Sequence, residues 1–295
     1  MSIFAVLGST GMIGSGVTRY LSEELHQIFE ANRDGISTYS GNQFLKFDAS
    51  KENVESLIGQ IPSGSTILNF IGVIRHKIDE TRSESVLNAF KVNGEFPKTL
   101  AMAASKRDCR VIQVGTDCIF SGSLGNYRES SVADPIDVYG KTKLQGEHFA
   151  ENLMTLRVSV IGREWKSHVE LMDWVLGAKS AEELKGFKNH FWNGVTTLHL
   201  ASVIKGILMN DLFRPGTFHL VPQDKISKLG LIASIATLGD RRDIKIREFD
   251  DSRMVDRTLS TDFPEFNKIL WAAAGFSTIP TIDLMVDEYF AWCKS

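Results

Sequence analysis

The chain has 295 residues, of which 43% are hydrophobic and 23% charged, as expected for one large domain or two closely packed ones. Its net charge of −3, without a basic run, argues against a nucleic-acid backbone or an anionic membrane as a partner. No apolar stretch approaches the roughly 20 residues of a spanning helix, and the apolar N-terminus lacks the basic segment and cleavage site of a secretory signal.

The cysteines and histidines argue against disulfides and metals. Cys109, Cys118 and Cys293 are odd in number and lack metal-ligand spacing, so we expect reduced thiols in the cytoplasm. The histidines are scattered, with no pair at ligand spacing beside a carboxylate, so no metal site is expected.

Short apolar runs alternate with longer helical patterns over the first 162 residues. The apolar runs predict strands in IFAVLG, QIFEAN, FLKFD, TILNFIGV, RVIQVGTD and MTLRVSVIG. The helical patterns are VTRYLSEEL, ENVESLIGQI, SVLNAFKVNGEFPKTLAMAASKR and VYGKTKLQGEHFAENL. Apolar runs without strict alternation are typical of strands covered on both faces, so we expect a doubly wound α/β fold with a parallel sheet.

The regularity fades after Gly162. Helices are expected in EWKSHVELMDWVLG, LHLASVIKGILMN, ISKLGLIASIATLG and TIDLMVDEYFAWCKS, short strands in TFHLV and DIKIREF, and an irregular aromatic loop in KGFKNHFWNGVTT. The sequence thus predicts a first domain over residues 1–162 and a smaller, substrate-facing lobe over residues 163–295. One or more segments of that lobe are expected to return to the first domain.

A glycine-rich stretch, VLGSTGMIGSG, follows the first strand and opens the first helix. Glycines three apart suit a tight turn, a backbone close to a pyrophosphate and close helix packing, with the helix N-terminus facing the anion. We expect a dinucleotide to lie on Gly8, Thr10, Gly11, Met12, Ile13 and Gly14. The alternative is a glycine-rich turn without a ligand.

The end of the second strand, ANRDG, bears on the choice of cofactor. A site selective for NAD usually places an acid there, but Asn32 and Arg33 occupy the position. Arginine can pair with a 2′-phosphate, so the sequence favours NADP(H), with NAD(H) as the alternative. Arg33 could equally be a solvated strand-end residue, and Asp34 weakens the argument if the strand ends one residue later. Asp48 is either an adenine contact or an exposed loop acid.

Two stretches, VIQVGTDCIFSG and YGKTK, carry the candidate catalytic residues. Thr116 is predicted at the carboxyl end of a strand, where open α/β sheets bind ligands, and would orient a substrate carbonyl. Tyr139 and Lys143 share one face of the next helix. Tyr139 would protonate the carbonyl oxygen as hydride reaches the carbon, and Lys143 would supply a cation and hold the nicotinamide ribose. Without this context, the tyrosine–lysine pair would be close to chance.

These motifs resemble those of the extended short-chain dehydrogenase/reductases, most of all the sugar-nucleotide branch typified by dTDP-4-dehydrorhamnose reductase. The matching stretches are LGSTGMIGSGV, NFIGVI, VNGEFPKTLA, VGTDCIFSG, YRESSVADPIDVYGKTKLQGE and LRVSVIG, with looser similarity in FHLVPQDKISKLGLIASIA. The resemblance implies an NAD(P)-binding Rossmann domain, a smaller C-terminal substrate-binding lobe and a nucleotide-sugar substrate. It also implies a homodimer, because homodimers are frequent among relatives.

The resemblance assigns roles to particular positions. It carries the catalytic triad onto Thr116, Tyr139 and Lys143. It implies that the cofactor site also includes Asn69, Gly72, Val73 and Asn93, the last of which supports the active site from its helix. It matches Arg157 and Ser159 to the substrate edge of the site, although both could be ordinary polar residues ending a strand.

Further substrate contacts are expected in the second lobe. A base or a sugar face would stack on Trp165, Phe191 or Trp192, with core packing as the alternative. The stretch RMVDR would place Arg253 or Arg257 on a diphosphate, unless these are ordinary surface arginines.

Two departures from the family pattern concern the active site. Gly115 stands where relatives usually have Ser or Thr, which removes a hydroxyl and could change how the sugar is held. Related 4,6-dehydratases have an Asp–Glu pair after the catalytic threonine, whereas here Asp117 is followed by Cys118. An acid beside a neutral thiol cannot supply both the general acid and the general base that dehydration needs. This favours carbonyl reduction over dehydration. Asp117 and Cys118 are both expected near the substrate.

The sequence therefore predicts an NADPH-dependent reductase of a nucleotide-linked 4-keto-6-deoxy sugar, in polysaccharide or glycan biosynthesis. One alternative is epimerisation or reduction at another sugar carbon with the same triad. Another is a non-catalytic role, because a relative of this branch is a regulatory subunit of methionine adenosyltransferase and keeps the same fold.

Overall fold

The computed structural model describes residues 4–24, 28–164 and 168–294. Its strands are β1 (Phe4–Leu7), β2 (Ile28–Asn32), β3 (Gln43–Lys46), β4 (Thr66–Asn69), β5 (Arg110–Val114), β6 (Leu153–Arg157), β7 (Val160–Ile161), β8 (Glu183–Phe187), β9 (His190–Trp192), β10 (Val195–Thr196), β11 (Gly216–His219), β12 (Ile226–Ser227), β13 (Lys245–Phe249) and β14 (Val255–Asp256).

The α-helices are α1 (Met12–Glu24), α2 (Val54–Ile58), α3 (Ser83–Ala89), α4 (Phe96–Ser105), α5 (Val138–Gly146), α6 (Leu171–Leu176), α7 (Thr197–Met209), α8 (Lys228–Leu238), α9 (Pro264–Ala273) and α10 (Ile282–Lys294). A π-helical segment (Phe90–Glu95) and two 3₁₀ turns (Arg75–Lys77 and Asp117–Ile119) complete the helical structure. Among the helices of the described ranges, none has the length and apolar character that crossing a membrane requires.

Seven strands form one sheet in the order β11–β6–β5–β4–β1–β2–β3, and the pairs from β6 to β3 are parallel. Read from β3, the order 3-2-1-4-5-6 is that of a doubly wound dinucleotide-binding fold. All four residues of β1 are buried, and because successive side chains point to opposite faces, both faces are covered. The predicted doubly wound α/β fold is therefore confirmed.

The chain forms two compact units. The first comprises Met1–Phe120, Val132–Arg157 and Phe213–Phe218, and the second comprises Ser121–Ser131, Val158–Leu212 and His219–Ser295. Strands β1 to β6 lie in the first unit. The expected division of function between residues 1–162 and 163–295 stays a prediction.

Helices α2 and α4 contribute to a buried apolar cluster with the strands of the first unit. Leu57 and Ile58 of α2 and Leu100 of α4 lie in this cluster with Leu7 of β1 and Val111 of β5. Burying an aliphatic side chain of this size contributes about 1.5–3 kcal/mol, so this layer fixes the strands whose carboxyl ends carry the candidate site.

Small sheets characterise the second unit. Strand β7 pairs with β10, β8 with β13, and β9 lies between β12 and β14. The stretch KGFKNHFWNGVTT was expected to be an irregular loop. This expectation is wrong, because the stretch contains the end of β8 and all of β9 and β10. Strands β8 and β9 pair with β13 and β14, which are distant in sequence, and local patterns do not reveal such pairing.

The helix expected over VYGKTKLQGEHFAENL ends earlier than predicted. Helix α5 ends at Gly146, which packs so closely against the carbonyl of Asn93 that a side chain would overlap it. Glu147 then takes an extended conformation, with φ −80° and ψ 125°. The close approach of the two segments at Gly146 is a tertiary contact that the local helical pattern does not reveal.

Other helix predictions also need correction. The stretch predicted as one helix from residue 85 to 107 is α3, the π-helical segment and α4 in succession. Pro97 has no N–H to donate to the carbonyl of Asn93 four residues earlier, so an unbroken α-helical pattern cannot pass this point. Of the helix expected over residues 164–177, only α6 forms in the described residues, and α9 was not predicted.

Replacing Gly146 with alanine is expected to lower the free energy of unfolding by about 1–3 kcal/mol, because the added methyl group would overlap the Asn93 carbonyl. Urea unfolding followed by circular dichroism would measure the loss. Lys141→Ala, at an exposed position of the same helix, is the control and should change stability by less than about 0.5 kcal/mol. Equal midpoints for the two variants would contradict this account of the helix end.

Candidate active site

The turn between β1 and α1 is shaped by glycines. Gly8 has a φ of +83°, in the left-handed region, and a side chain there would come within 3.1 Å of the backbone of Phe70 and Ile71. Gly14 packs against the Gly8 carbonyl and has no room for a side chain, whereas Gly11 is exposed. These contacts draw the N-terminus of α1 onto the end of β1, beside the end of β4. That is the topological switch point at which doubly wound sheets bind ligands.

The same turn presents groups suited to a pyrophosphate. Thr10, Met12 and Ile13 are half-buried, and the first N–H groups of a helix have no partners within the helix. The glycine packing leaves this helix start accessible, so the residues present fit a dinucleotide. Within residues 4–24, 28–164 and 168–294, no group of three His, Cys, Asp or Glu side chains is placed to hold a metal ion.

Asn32, at the end of β2, organises the loop that follows it. Its buried side-chain amide donates to Ser9 Oγ at 3.0 Å and to the Ile36 carbonyl at 2.7 Å. Its Oδ1 accepts from the N–H groups of Asp34 at 3.1 Å and Gly35 at 2.9 Å. The side chain therefore links the phosphate turn to the next loop, and its predicted contact with the cofactor stays a prediction.

Arg33 and Asp48 lie at the ends of adjacent strands. Arg33 is exposed, and the Asp48 carboxylate accepts from the N–H of Ser50 at 2.9 Å and its hydroxyl at 2.6 Å. Burial raises the pKa of Asp48, but the Ser50 hydrogen bonds, with the charges of Lys51 and Arg33, outweigh it and lower that pKa.

Glu30, which the sequence analysis did not single out, is a fully buried carboxylate in β2. It accepts from Ser37 Oγ at 3.0 Å, from the Thr38 hydroxyl at 2.6 Å and from the Asn42 amide at 2.9 Å. Burial raises the pKa of Glu30, but these hydrogen bonds outweigh the effect and lower it. The presence of an acid inside the apolar run QIFEAN is the sequence feature that could have identified Glu30. The carboxylate holds the loop that begins at Arg33.

Asn69 ends β4 next to the phosphate turn. Its buried side chain accepts from the Ile71 N–H at 3.1 Å and donates to Gln113 Oε1 on β5 at 3.3 Å. Asn69 thus shapes the turn that leads to Gly72 and Val73 at the carboxyl edge of the sheet.

Asn93 connects that turn to helix α5. Its Oδ1 accepts from the Val73 N–H at 2.8 Å, and its Nδ2 donates to the Val73 carbonyl at 2.9 Å and to Thr142 Oγ1 at 3.1 Å. A side chain at Gly72 would come within 3.3 Å of Asn93 Oδ1. Asn93 belongs to the π-helical segment, a feature frequent at functional sites.

Thr116 follows β5 and opens a 3₁₀ turn. Its hydroxyl donates to Asp117 Oδ1 and accepts from the Cys118 N–H, each at 3.2 Å. Gly140 packs directly against the Cys118 carbonyl, where a side chain would not fit. This packing brings the first turn of α5, which carries Tyr139, against the turn that begins at Thr116.

Lys143 lies one helical turn beyond Tyr139. Its Nζ donates to the carbonyl of Val114, the last residue of β5, at 3.0 Å. Burial lowers the pKa of the Lys143 ammonium, and the negative charge of Glu147 partly offsets this effect. The structure therefore assembles the predicted triad residues within the first unit, around the end of β5.

Arg157, expected at the substrate edge, forms a buried ion pair. Its Nε and Nη2 donate to Glu147 Oε2 at 2.9 and 2.8 Å. Its guanidinium also lies over the Phe120 ring, 5.9 Å from the centroid. The sequence analysis missed Glu147, although its spacing of four from Lys143 could have identified it. A contact between Arg157 and a substrate stays a prediction.

In the second unit, the structure brings Ser159 and Trp192 together. Trp192 Nε1 donates to Ser159 Oγ at 2.8 Å. The Lys225 ammonium lies 4.6 Å from the centroid of the Phe191 ring. Arg257 is half-buried, and its Cγ would be 3.0 Å from a side chain at Gly122. Arg253 is exposed, and Trp165 lies outside the described residues.

The strand order, the glycine turn and the tyrosine–lysine helix define a Rossmann-type dinucleotide-binding protein. The family model described as "RmlD substrate binding domain" matches residues 1–258. The chain belongs to this family, and the resemblance to the sugar-nucleotide branch of the extended short-chain dehydrogenase/reductases is confirmed.

The sequence identity to individual relatives is low. The chain is 25% identical over 231 residues to a probable low-salt glycan biosynthesis reductase, Agl14, of Haloferax volcanii, covering 75% of each chain. It is 27% identical over 197 residues to methionine adenosyltransferase 2 subunit beta of Bos taurus, covering 62% of this chain and 59% of the bovine protein. A solved dTDP-4-dehydrorhamnose reductase from Bacillus anthracis, in complex with NADP, has a TM-score of 0.76 at 16% identity and 99% coverage of both chains.

Replacing Glu30 with glutamine is expected to destabilise the protein by about 2 kcal/mol or more at pH 7, because charge-assisted hydrogen bonds are lost. The folded-state pKa lies below the ordinary value of 4.5, so the carboxylate stabilises the fold above that pH. This contribution disappears as the pH falls through the folded-state pKa.

Urea unfolding at several pH values would therefore show a stability difference between wild type and Glu30→Gln that shrinks below pH 4.5. Glu84→Gln, at an exposed position, is the control and should change stability by less than about 0.5 kcal/mol. A difference independent of pH would show that the charge of Glu30 does not contribute.

Proposed function

We propose that the protein is an NADPH-dependent reductase of a nucleotide-linked 4-keto-6-deoxy sugar. The observation that carries the proposal is the arrangement of Thr116, Tyr139 and Lys143 around the end of β5, in the same unit as the glycine turn. The family membership supports this choice of substrate class, as does the similarity to the Bacillus anthracis protein, which is named dTDP-4-dehydrorhamnose reductase.

Each triad residue has a chemical role in this proposal. The Tyr139 phenol donates a proton to the carbonyl oxygen of the sugar, and Thr116 orients that oxygen. The ordinary pKa of a phenol is near 10, so Tyr139 is a usable acid but a reluctant base. The Lys143 ammonium, fixed by the Val114 carbonyl, favours the phenolate that remains after proton transfer.

The cofactor would lie across the carboxyl ends of β1 and β4. The N-terminus of α1 at Gly11 would hold the pyrophosphate, Arg33 the 2′-phosphate, and Lys143 the nicotinamide ribose. Bound NADPH supplies the hydride that reduces the sugar carbonyl. The protein orients the sugar carbonyl, and Tyr139 delivers the proton that completes the reduction.

The residues after Thr116 favour reduction over elimination. Removal of water from a sugar needs an acid and a base placed together, but Asp117 is followed by a thiol, Cys118. Asp117 is also engaged by the Thr116 hydroxyl. Ser159, Trp192 and Arg257 remain proposed contacts of the nucleotide-sugar.

We also propose a setting for the reaction. The printed name of the Haloferax volcanii relative supports glycan biosynthesis, and the absence of disulfides among Cys109, Cys118 and Cys293 is compatible with the cytoplasm. A homodimer stays part of the proposal, on the basis of the family resemblance alone.

A second candidate function is that of a cofactor-binding regulatory subunit. The similarity to the beta subunit of bovine methionine adenosyltransferase 2 favours it. Such a protein would bind NADPH and a partner enzyme without oxidising the cofactor in the presence of keto-sugars. The epimerase alternative has no specific observation in its favour.

The proposed reaction can be tested with dTDP-, UDP- and GDP-linked 4-keto-6-deoxy sugars, by following the loss of nicotinamide absorbance. We expect NADPH oxidation with one of them, and a fall of about 100-fold or more in kcat for Tyr139→Phe, because the proton donor is removed. The dissociation constant for NADPH should change by less than about twofold, since the phenol hydroxyl acts on the substrate.

Two results would contradict the reductase proposal. Full turnover by Tyr139→Phe would exclude Tyr139 as the proton donor. Tight NADPH binding without oxidation by any keto-sugar would instead favour the regulatory function, and methionine adenosyltransferase would then be the partner to test.

Replacing Arg33 with glutamine is expected to raise the dissociation constant for NADPH about tenfold or more, because an ionic contact with the 2′-phosphate is lost. Binding of NADH, which lacks that phosphate, should change little. Fluorescence titration with both cofactors would measure the effect, with exposed Arg82→Gln as the control. Equal losses for NADPH and NADH would show that Arg33 does not select the cofactor.

A further inference from the structure

The peptide between Val114 and Gly115 lies beside two charged side chains, Lys143 of α5 and Glu147, the residue that follows this helix. Lys143 Nζ donates to the Val114 carbonyl at 3.0 Å. Four residues later, Glu147 Oε1 would be only 2.8 Å from a side chain on Gly115. One cation and one anion, four residues apart in sequence, therefore lie beside the strand end that leads directly to Thr116.

The anion is fixed in place. Arg157 donates from Nε and Nη2 to Glu147 Oε2, and the two side chains are only 11% and 5% exposed. Two donors of one planar guanidinium converge on a single carboxylate oxygen and hold it against Arg157. A charge buried in this way is tolerated only when it is paired. Loss of either side chain would therefore leave the other buried without a counter-charge.

Because Gly115 has no side chain, the Glu147–Arg157 pair can occupy the space beside it. A side chain at position 115 would lie 2.8 Å from Glu147 Oε1, 2.9 Å from Arg157 Cγ and 3.2 Å from Thr155 Cγ2. The space that a side chain at position 115 would take is thus already filled by these atoms. A serine or threonine there would displace the carboxylate that Arg157 holds.

Arg157 does not use the whole carboxylate. Glu147 Oε1 is buried and has no hydrogen-bond partner in the described part of the chain. The titratable groups that bear on Lys143 are Glu147, directly after its helix, and the Cys118 thiol from the 3₁₀ turn. Arg157, from β6, is the opposing cation, and its charge is directed at Glu147 Oε2.

We propose that Glu147 and Arg157 are positioning residues of the active site: Arg157 holds the Glu147 carboxylate as the buried counter-ion of Lys143, and Gly115 provides the space this requires. The significance of the pair for catalysis rests on the proposed function, in which Lys143 assists Tyr139. The arrangement of the charges does not depend on it.

The ionisation of Lys143 tests this proposal directly. Protein labelled with ¹³C at lysine Cε would be titrated by NMR without cofactor or substrate, and Lys143→Arg would assign the resonance. Because the Glu147 carboxylate stabilises the ammonium, Glu147→Gln should lower the pKa of Lys143 relative to wild type. Glu55→Gln removes an exposed carboxylate that pairs with Lys106 and should leave it unchanged.

The double variant Glu147→Gln/Arg157→Gln covers the case in which the single variant does not fold, because it removes both charges of the Glu147–Arg157 ion pair and leaves neither of these two without its partner. The pKa of Lys143 should again fall, though by less, since the repulsive charge of Arg157 is also removed. A pKa of Lys143 that stays at the wild-type value in the folded variants would overturn the proposal. Since no substrate is used, failure of the proposed reductase activity would leave this test valid.

Gly115→Ser offers a second measurement on the same site. The serine side chain should displace Glu147 from Arg157 and lower the pKa of Lys143, as Glu147→Gln does. If Gly115→Ser keeps the wild-type pKa of Lys143 and the wild-type unfolding midpoint, the glycine does not serve to accommodate the pair.

Discussion

The hydrogen bond from the Lys143 ammonium to the Val114 carbonyl joins helix α5 to the carboxyl end of β5. A buried ammonium without such an acceptor would be costly, so the bond fixes the position of the helix along the strand. Tyr139 lies one turn earlier on the same helix, and Thr116 lies two residues beyond Val114. The geometry of all three candidate catalytic side chains therefore depends on this one contact.

Small residues make that contact possible. Gly140 and Gly146 let the two ends of α5 approach the Cys118 and Asn93 carbonyls, where any side chain would overlap backbone atoms. Asn93, freed by Pro97 from a regular helical pattern, in turn links α5 to the loop at Val73. The cofactor edge and the catalytic helix are thus parts of one hydrogen-bonded arrangement rather than independent features of the first unit.

Local patterns predicted most elements of the first unit and, in the second, the helices α7, α8 and α10 and the strand β13, but they missed most of the small sheets of the second unit. The apolar runs, the glycine turn and the Tyr139–Lys143 spacing are local signals. They predicted the observed sheet, and the structure places the candidate residues Thr116, Tyr139 and Lys143 around the end of β5. Glu30 and Glu147 were missed because partners such as Asn42 and Arg157 lie 12 and 10 residues away, on other segments of the fold, and an isolated acid resembles a surface residue. Strands β8 and β9 were missed for the same reason, because their pairing is non-local.

The central proposal is that the protein delivers a hydride from NADPH to the C4 carbonyl carbon of a nucleotide-linked sugar. NADPH with deuterium in place of both hydrogens at nicotinamide C4, incubated with the protein and a 4-keto-6-deoxy nucleotide sugar, would test it by mass spectrometry and NMR of the product. The account predicts one deuterium bound to sugar C4. A product with deuterium at another carbon, or bound cofactor that retains its deuterium with every keto-sugar, would contradict it.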